Sequence, residues 1–243
     1  MTQTVDYGFQ RVDPAEKTRR VRSVFERVAR RYDIMNDVMS GGLHRLWKDH
    51  FVSQIKPRAG EQILDLAGGT GDIAFRMAKR GALVTVTDIN PDMLAEGQKR
   101  SAAKSLSGLT WQVENAEKLS FADRRFDAAT IAFGIRNVTD KMAALKEIHR
   151  VLKFGGRFFC LEFSRQEWPI VADIYDAYSL KLVPKLGKMI AGDEEAYQYL
   201  VESIRQFPDA PTVADMLTEA GFAKVTFERI IGGVVAIHSG WKI

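Results

Sequence analysis

The chain has 243 residues, 46% of them hydrophobic and 27% charged, and a net charge of +4. That length suffices for one large α/β domain with a real core, and the composition is that of a globular protein rather than a disordered or fibrous one. No apolar run approaches the roughly 20 residues that span a bilayer, and residues 1–16 lack the apolar core of a secretion signal, so the expectation is an intracellular protein.

The single cysteine, Cys160, can form no internal disulfide and reads as a small buried hydrophobe. The mild positive charge suits an anionic partner, nucleic acid or membrane surface, without specifying one.

Residues 15–31 read as a helix, because Val21, Val24, Phe25 and Val28 fall at i, i+3, i+4 and i+7. Its other faces carry Lys17, Arg19, Arg20, Arg22, Arg27, Arg30 and Arg31. Either this is a solvated face of a helix lying on the domain, or a basic amphipathic helix facing lipid headgroups. A second helix is expected over 44–55, with Leu46, Trp47, Phe51 and Ile55 as its apolar positions and Pro57 and Gly60 ending it. Such a helical preface either forms one wall of a substrate pocket or is mere packing.

From Glu61 strands and helices alternate. Strands are expected over 62–66, 83–88, 109–113, 126–133 and 157–163. The intervening helices run over 72–79, from Pro91 with Asn90 as N-cap, and over 141–153. The small and β-branched run Ala128-Ala129-Thr130-Ile131-Ala132 suits a strand buried on both faces. Such alternation predicts a parallel, doubly wound sheet.

Residues 164–207 break the rhythm with an apolar, aromatic-rich stretch that reads as helical and holds four of the six tyrosines. It is either a flank on the sheet or a cover with an apolar channel for a greasy substrate. A helix starting near Thr212 and two strands, 224–231 and 234–238, complete the chain. Gly232-Gly233 between them signals a two-residue hairpin. The fold class expected is α/β and Rossmann-like, with seven strands, mostly parallel and the last antiparallel. One domain over 1–243 comprises a helical preface (1–56), a core (61–163), a helical insertion (164–207) and a terminal helix and hairpin (208–243).

The chemistry gathers at strand ends. The first core strand runs into Ala67-Gly68-Gly69-Thr70-Gly71-Asp72, a glycine turn opening a helix, which is a cofactor cradle. Dinucleotide enzymes place G-x-G-x-x-G there, but Ile73 and Ala74 stand beyond Gly69 and Gly71 in place of the third glycine. With Asp65 in the strand, the turn suits a zwitterionic, cationic ligand better than a pyrophosphate. Asp88, closing the second strand, can accept both hydroxyls of a ribose. Asn115-Ala116-Glu117, past the third, offers an amide and backbone groups to an adenine edge. The four scattered histidines show no metal-ligand spacing, so no metal is expected.

These residues resemble class I S-adenosylmethionine-dependent methyltransferases. The likeness narrows further. Asp65-Leu66-Ala67-Gly68-Gly69-Thr70-Gly71-Asp72, Phe133-Gly134-Ile135-Arg136-Asn137-Val138, Tyr175-Asp176-Ala177-Tyr178-Ser179 and the stretch from Phe25 to Asn36 are similar to the ubiquinone/menaquinone biosynthesis C-methyltransferase family. The resemblance covers the chain from about residue 22 to its end. It implies S-adenosylmethionine as cofactor, with Thr70, Asp88, Asn115 and Ala116 among its contacts, and methyl transfer to a ring carbon of a polyprenylated quinol. The quinols are 2-polyprenyl-6-methoxy-1,4-benzoquinol and demethylmenaquinol. Family members often carry a serine where this chain has Ala132, so a hydroxyl contact to the cofactor is missing.

Ring methylation needs a phenolate, which pushes electron density onto the ortho carbon. Arg136, after the fourth strand, is expected to lower the phenol pKa, and Asn137 to orient a quinol oxygen or a water. Tyr178, Tyr197 and His44 are weaker candidates for hydrogen bonds to the ring. The prenyl tail implies peripheral contact at the inner face of a membrane, through the basic helix or the apolar stretch. A homodimer or a complex of quinone-biosynthesis enzymes is compatible with the resemblance. The alternative activity is methylation of another phenolic small molecule or of RNA. No Asn-Pro-Pro-Tyr-type loop follows the fourth strand, which counts against base N-methylation.

Overall fold

The structure is a computed structural model that describes residues 4–28, 37, 40–164 and 194–243. Most of the aromatic stretch, including Tyr175 and Tyr178, and most of residues 29–39 lie outside the described residues. In chain order the described elements are β1 (Val5–Tyr7), β2 (Gln10–Val12), α1 (Pro14–Val28), α2 (His44–Ile55), β3 (Gln62–Leu66), α3 (Asp72–Ala78), β4 (Leu83–Asp88), α4 (Pro91–Ala103), β5 (Leu109–Val113) and β6 (Phe126–Ala132). A short 3₁₀ turn (Ile135–Asn137) follows, then α5 (Lys141–Val151), β7 (Leu152–Phe163), α6 (Glu194–Gln206), α7 (Ala210–Glu219), β8 (Ala223–Ile230) and β9 (Val235–Trp241).

The main sheet has the order β5-β4-β3-β6-β7-β9-β8. Strands β3 to β7 pair in parallel, and β9 runs antiparallel to both β7 and β8. This is the expected seven-stranded sheet with its last strand reversed. Period-two alternation sends neighbouring side chains to opposite faces. Ile63 joins one apolar core with Trp47, Phe51 and Ile55 of α2 and with Tyr197 and Leu200 of α6. Leu64 and Leu66 join a second core with Leu145 and Ile148 of α5 and Leu217 of α7. Both faces are covered, as a parallel sheet requires.

Between β3 and β6 the strand order reverses direction, and here α/β folds open a crevice at the carboxyl ends. The turns leaving these two strands touch. A Cβ on Gly134 would lie 2.6 Å from the Cβ of Ala67, so only glycine fits there. Ala67 and Phe133 themselves hold left-handed φ values of 47° and 55°. For a bulky residue such as Phe133 that is a strained state, and strain of this kind gathers where function is built. Phe133 is held by its N–H bond to Leu161 O (2.8 Å) and by packing against Trp47 and Phe163.

Helix α2 is tied to the start of α3 by Lys48, whose Nζ lies 2.8 Å from the Asp72 carboxylate. Burial would raise the Asp72 pKa, but Lys48 and Arg76 hold it well below the usual carboxylate range. The structure differs from the sequence reading in four places. Helix α5 ends at Val151 and β7 begins at Leu152, where the helix was expected to run to 153 and the strand to begin at 157. An N-terminal hairpin, β1–β2, was not expected. The β8–β9 connection is a four-residue loop, because Ile230 pairs directly with Val235 and Ile231 enters the turn with φ 49°. Helix α7 is capped by Asp209, whose carboxylate accepts the Thr212 N–H at 3.0 Å, so Thr212 lies inside the first turn.

Candidate active site

The crevice at the strand ends is a cavity with contributions from four successive strand exits. Ala67 and Gly69 follow β3, and Thr87, Asp88 and Ile89 end β4, with Met93 behind them on α4. Glu114, Asn115, Ala116 and Glu117 follow β5, and Phe133, Gly134, Asn137, Val138 and Thr139 follow β6. Thr18, Val21 and Phe25 of α1 form the remaining wall. Five of the expected site residues therefore meet here: Gly69, Asp88, Asn115, Ala116 and Asn137.

Asp88 organises the floor. Its Oδ2 accepts the Gly69 N–H at 3.0 Å and its Oδ1 accepts the Asn90 N–H at 2.9 Å. Burial pushes its pKa up to about 6 against the pull of these backbone N–H groups. Gly69 has φ 54°, and a Cβ there would meet Met93 Cε at 3.0 Å and point toward the Asp88 carboxylate, 3.9 Å away. Asn115 closes an Asx turn, with its Oδ1 accepting the Glu117 N–H at 3.0 Å, so its amide NH₂ is the end left to recognise a ligand. Glu117 in turn accepts the Thr139 N–H at 3.0 Å, joining the exits of β5 and β6 across the rim.

Helix α1 is stitched over the opening. The Thr18 and Thr139 hydroxyls are 3.2 Å apart, and the buried Lys17 Nζ donates to Val138 O at 3.4 Å. Its arginines are engaged by carboxylates: Arg19 and Arg20 by Glu16, Arg22 by Glu26 and Arg27 by Glu195. The apolar stripe thus walls the cavity, while much of the basic face is neutralised locally. Of the two roles expected for the helical preface, pocket wall or mere packing, Thr18, Val21 and Phe25 give α1 the first. Which of its residues line the cavity was not legible, because the stripe fits any packed helix.

Three expected site residues point elsewhere. Thr70 is buried, and its hydroxyl accepts from Arg100 Nη1 at 2.8 Å. Gly71, with φ 83°, caps α3, where a Cβ would meet the rings of Trp111 and Phe75. Arg136 is 5% exposed and turned away from the cavity: its Nη1 lies 2.9 Å from Glu162 Oε1 and also donates to Phe133 O. The expected guanidinium facing a phenol is thus a buried ion pair that locks the loop carrying Asn137. Burial raises the Glu162 pKa, with Arg136 opposing.

Of the weaker candidates, Tyr178 lies outside the described residues, and Tyr197 and His44 do not line the cavity. Tyr197 is fully buried in the core, and His44 bonds Asp37 at 2.9 Å. Asp65 is likewise internal. Its Oδ1 accepts the Thr130 hydroxyl at 2.8 Å, and burial raises its pKa to about 7, so it braces β3 against β6 and does not face a ligand.

A glycine that admits close approach, a half-buried carboxylate at the next strand end and an amide at the third form a site for a nucleoside-bearing ligand. The model of the ubiE/COQ5 methyltransferase family matches residues 14–242. The chain belongs to that family. It is an S-adenosylmethionine-dependent methyltransferase, and the cavity residues suit that cofactor. The ubiquinone/menaquinone biosynthesis C-methyltransferase of Zymomonas mobilis is 59% identical, covering 98% of this chain and 99% of its own. The mitochondrial 2-methoxy-6-polyprenyl-1,4-benzoquinol methylase of Arabidopsis thaliana is 52% identical, covering 98% and 90%. Among solved structures, an S-adenosylmethionine-dependent methyltransferase of Thermotoga maritima, described as a possible histamine N-methyltransferase, superposes with a TM-score of 0.67 at 20% identity. The match covers 92% of this chain and 100% of that one, and it shares the fold.

Removing one partner of a buried ion pair strands the other, at a cost of about 3–5 kcal/mol. Arg136→Ala is therefore expected to lower unfolding stability by that amount in urea titration. A variant as stable as the parent would show that the pair with Glu162 does not hold the loop.

Proposed function

We propose that the chain methylates a ring carbon of a polyprenylated quinol in ubiquinone and menaquinone synthesis, taking 2-polyprenyl-6-methoxy-1,4-benzoquinol, demethylmenaquinol or both. The observation that carries this reading is the composition of one cavity, lined together by Asp88, by Asn137 and by Val21 and Phe25 from the apolar face of α1. The relatives' names, one a benzoquinol methylase and one a ubiquinone/menaquinone C-methyltransferase, point to the same substrates.

S-adenosylmethionine, when bound, supplies an electrophilic methyl. Asp88 would hold its ribose hydroxyls, Asn115 and the Ala116 backbone its adenine edge, and Gly69 would admit its close approach to the turn. Thr70 and Gly71 contribute by shaping the turn, through Arg100 and the α3 cap. The Asn137 amide donates to a quinol oxygen and favours its phenolate. Arg136 acts one step back, keeping that loop in place through Glu162. Val21 and Phe25 exclude water, which strengthens each of these interactions.

Peripheral membrane contact belongs to the same proposal, since the prenyl tail resides in lipid. Among the described residues no helix is long and apolar enough to cross a membrane. With the α1 arginines paired, contact is expected through apolar insertion rather than charge. Co-sedimentation with vesicles should then persist at high salt; binding abolished by salt would restore the basic face as the docking surface.

Asp88→Ala is expected to abolish cofactor binding by calorimetry. In the parent, affinity should fall as pH drops through about 6, where the carboxylate gains a proton and ceases to be a double acceptor. Asn137→Ala should bind cofactor normally yet turn over about a hundredfold more slowly, the cost of one donor at a developing oxyanion. Normal cofactor binding by the first variant or normal turnover by the second would contradict these assignments.

A further inference from the structure

An asparagine amide has an acceptor end and a donor end that exchange on a half-turn of the side chain. Stabilising a phenolate needs the donor end. Nothing in the Asn137 side chain itself selects it, so a neighbour must. The Tyr199 hydroxyl of α6 lies 3.0 Å from Asn137 Oδ1 and donates to it.

We propose that Tyr199 is a positioning residue for methyl transfer: by donating to Asn137 Oδ1 it holds the amide with its NH₂ toward the quinol oxygen. This rests on the quinol reading of the cavity.

Tyr199 is 4% exposed, and a buried hydroxyl must place its proton on an acceptor. Burial raises the phenol pKa further, so the group remains a donor throughout the working range. Reversing the Asn137 amide would set its NH₂ against this O–H and leave the buried proton without an acceptor. That penalty keeps the donor end turned to the cavity.

The N-terminal hairpin fixes the tyrosine in turn. Tyr7 of β1 stacks on the Tyr199 ring at 4.4 Å with 19° between planes, and the Arg20 guanidinium lies over Tyr7. The hairpin is pinned to the same helix, since Phe9 N–H donates to Glu202 at 3.1 Å, one turn beyond Tyr199. At Gly8, which has φ 55°, a Cβ would run into the Glu202 side chain. A chain of contacts thus runs from the hairpin through Tyr199 to the amide at the cavity wall.

The test compares Tyr199→Phe, Asn137→Ala, Asn137→Asp and the Tyr199→Phe/Asn137→Ala double variant in the full chain. The substrate is a methoxy-benzoquinol with a short prenyl tail. Tyr199→Phe keeps the ring stack and removes one hydroxyl. Its kcat should fall between about ten- and a hundredfold, with KM and cofactor affinity within about twofold of the parent. The rise of kcat with pH should move to higher pH, because the phenolate is less favoured. The double variant should be no slower than Asn137→Ala alone.

Parental kcat in Tyr199→Phe, or a double variant slowed by the product of the two single effects, would overturn the proposal. Should Tyr199→Phe fail to fold, Asn137→Asp decides. It keeps the acceptor for Tyr199 and replaces the donor by an oxygen, so its kcat must be at least as low as that of Asn137→Ala. A parental kcat there would overturn the proposal too. Parental turnover in Asn137→Ala, by contrast, would overturn the role given to Asn137 itself.

Discussion

The site depends on how closely the turn after β3 approaches the end of β4. Gly68 N–H donates to Thr87 O at 2.9 Å, and Gly69 N–H to the Asp88 carboxylate at 3.0 Å. A Cβ on Gly68 would sit 2.6 Å from Val86 Cγ1, so no other residue permits the approach. Once this contact is made, Asp88 faces the crevice with its lower lone pairs already engaged. The exits of β5 and β6 then close the remaining sides.

Burial sets the electrostatics of the region. Two carboxylates, Asp65 and Asp88, lie near each other at adjacent strand ends, and burial raises the pKa of both, to about 7 and about 6. Only Asp88 opens on the cavity. The buried carboxylate of Glu162, on β7, has Arg136 as partner. Charge is therefore used in two ways here. Asp88 presents it to the cavity, and the Arg136–Glu162 pair spends it on loop rigidity, leaving the neutral side chain of Asn137 among the cavity's lining residues.

Strand ends were legible in the sequence because glycine, Asp and Asn at the close of a β-branched run have few other reasons to be there. Gly69, Asp88, Asn115, Ala116 and Asn137, which line the cavity, were singled out that way. Helix α2, strand β5 and the Asn90–Pro91 start of α4 fell where periodicity and capping put them. Side-chain direction was not legible. Arg136 and Asn137 are neighbours, and on a 3₁₀ turn one faces Glu162 while the other faces the crevice. The β1–β2 hairpin was missed because its strands are three residues long, too short for the alternation of Val5-Asp6-Tyr7 to register. The preface was read as pocket wall or mere packing, and the choice stayed open because an apolar stripe does not name what it covers.

Transfer of methyl to a ring carbon can be followed with a labelled methyl. The enzyme is incubated with S-adenosylmethionine carrying a ¹³C methyl and a prenylated methoxy-benzoquinol, and the product is read by NMR. The expected product carries one labelled methyl bonded to a ring carbon, with neither hydroxyl newly methylated. A label on oxygen, as a methoxy signal, or no transfer to the prenylated quinol would contradict it.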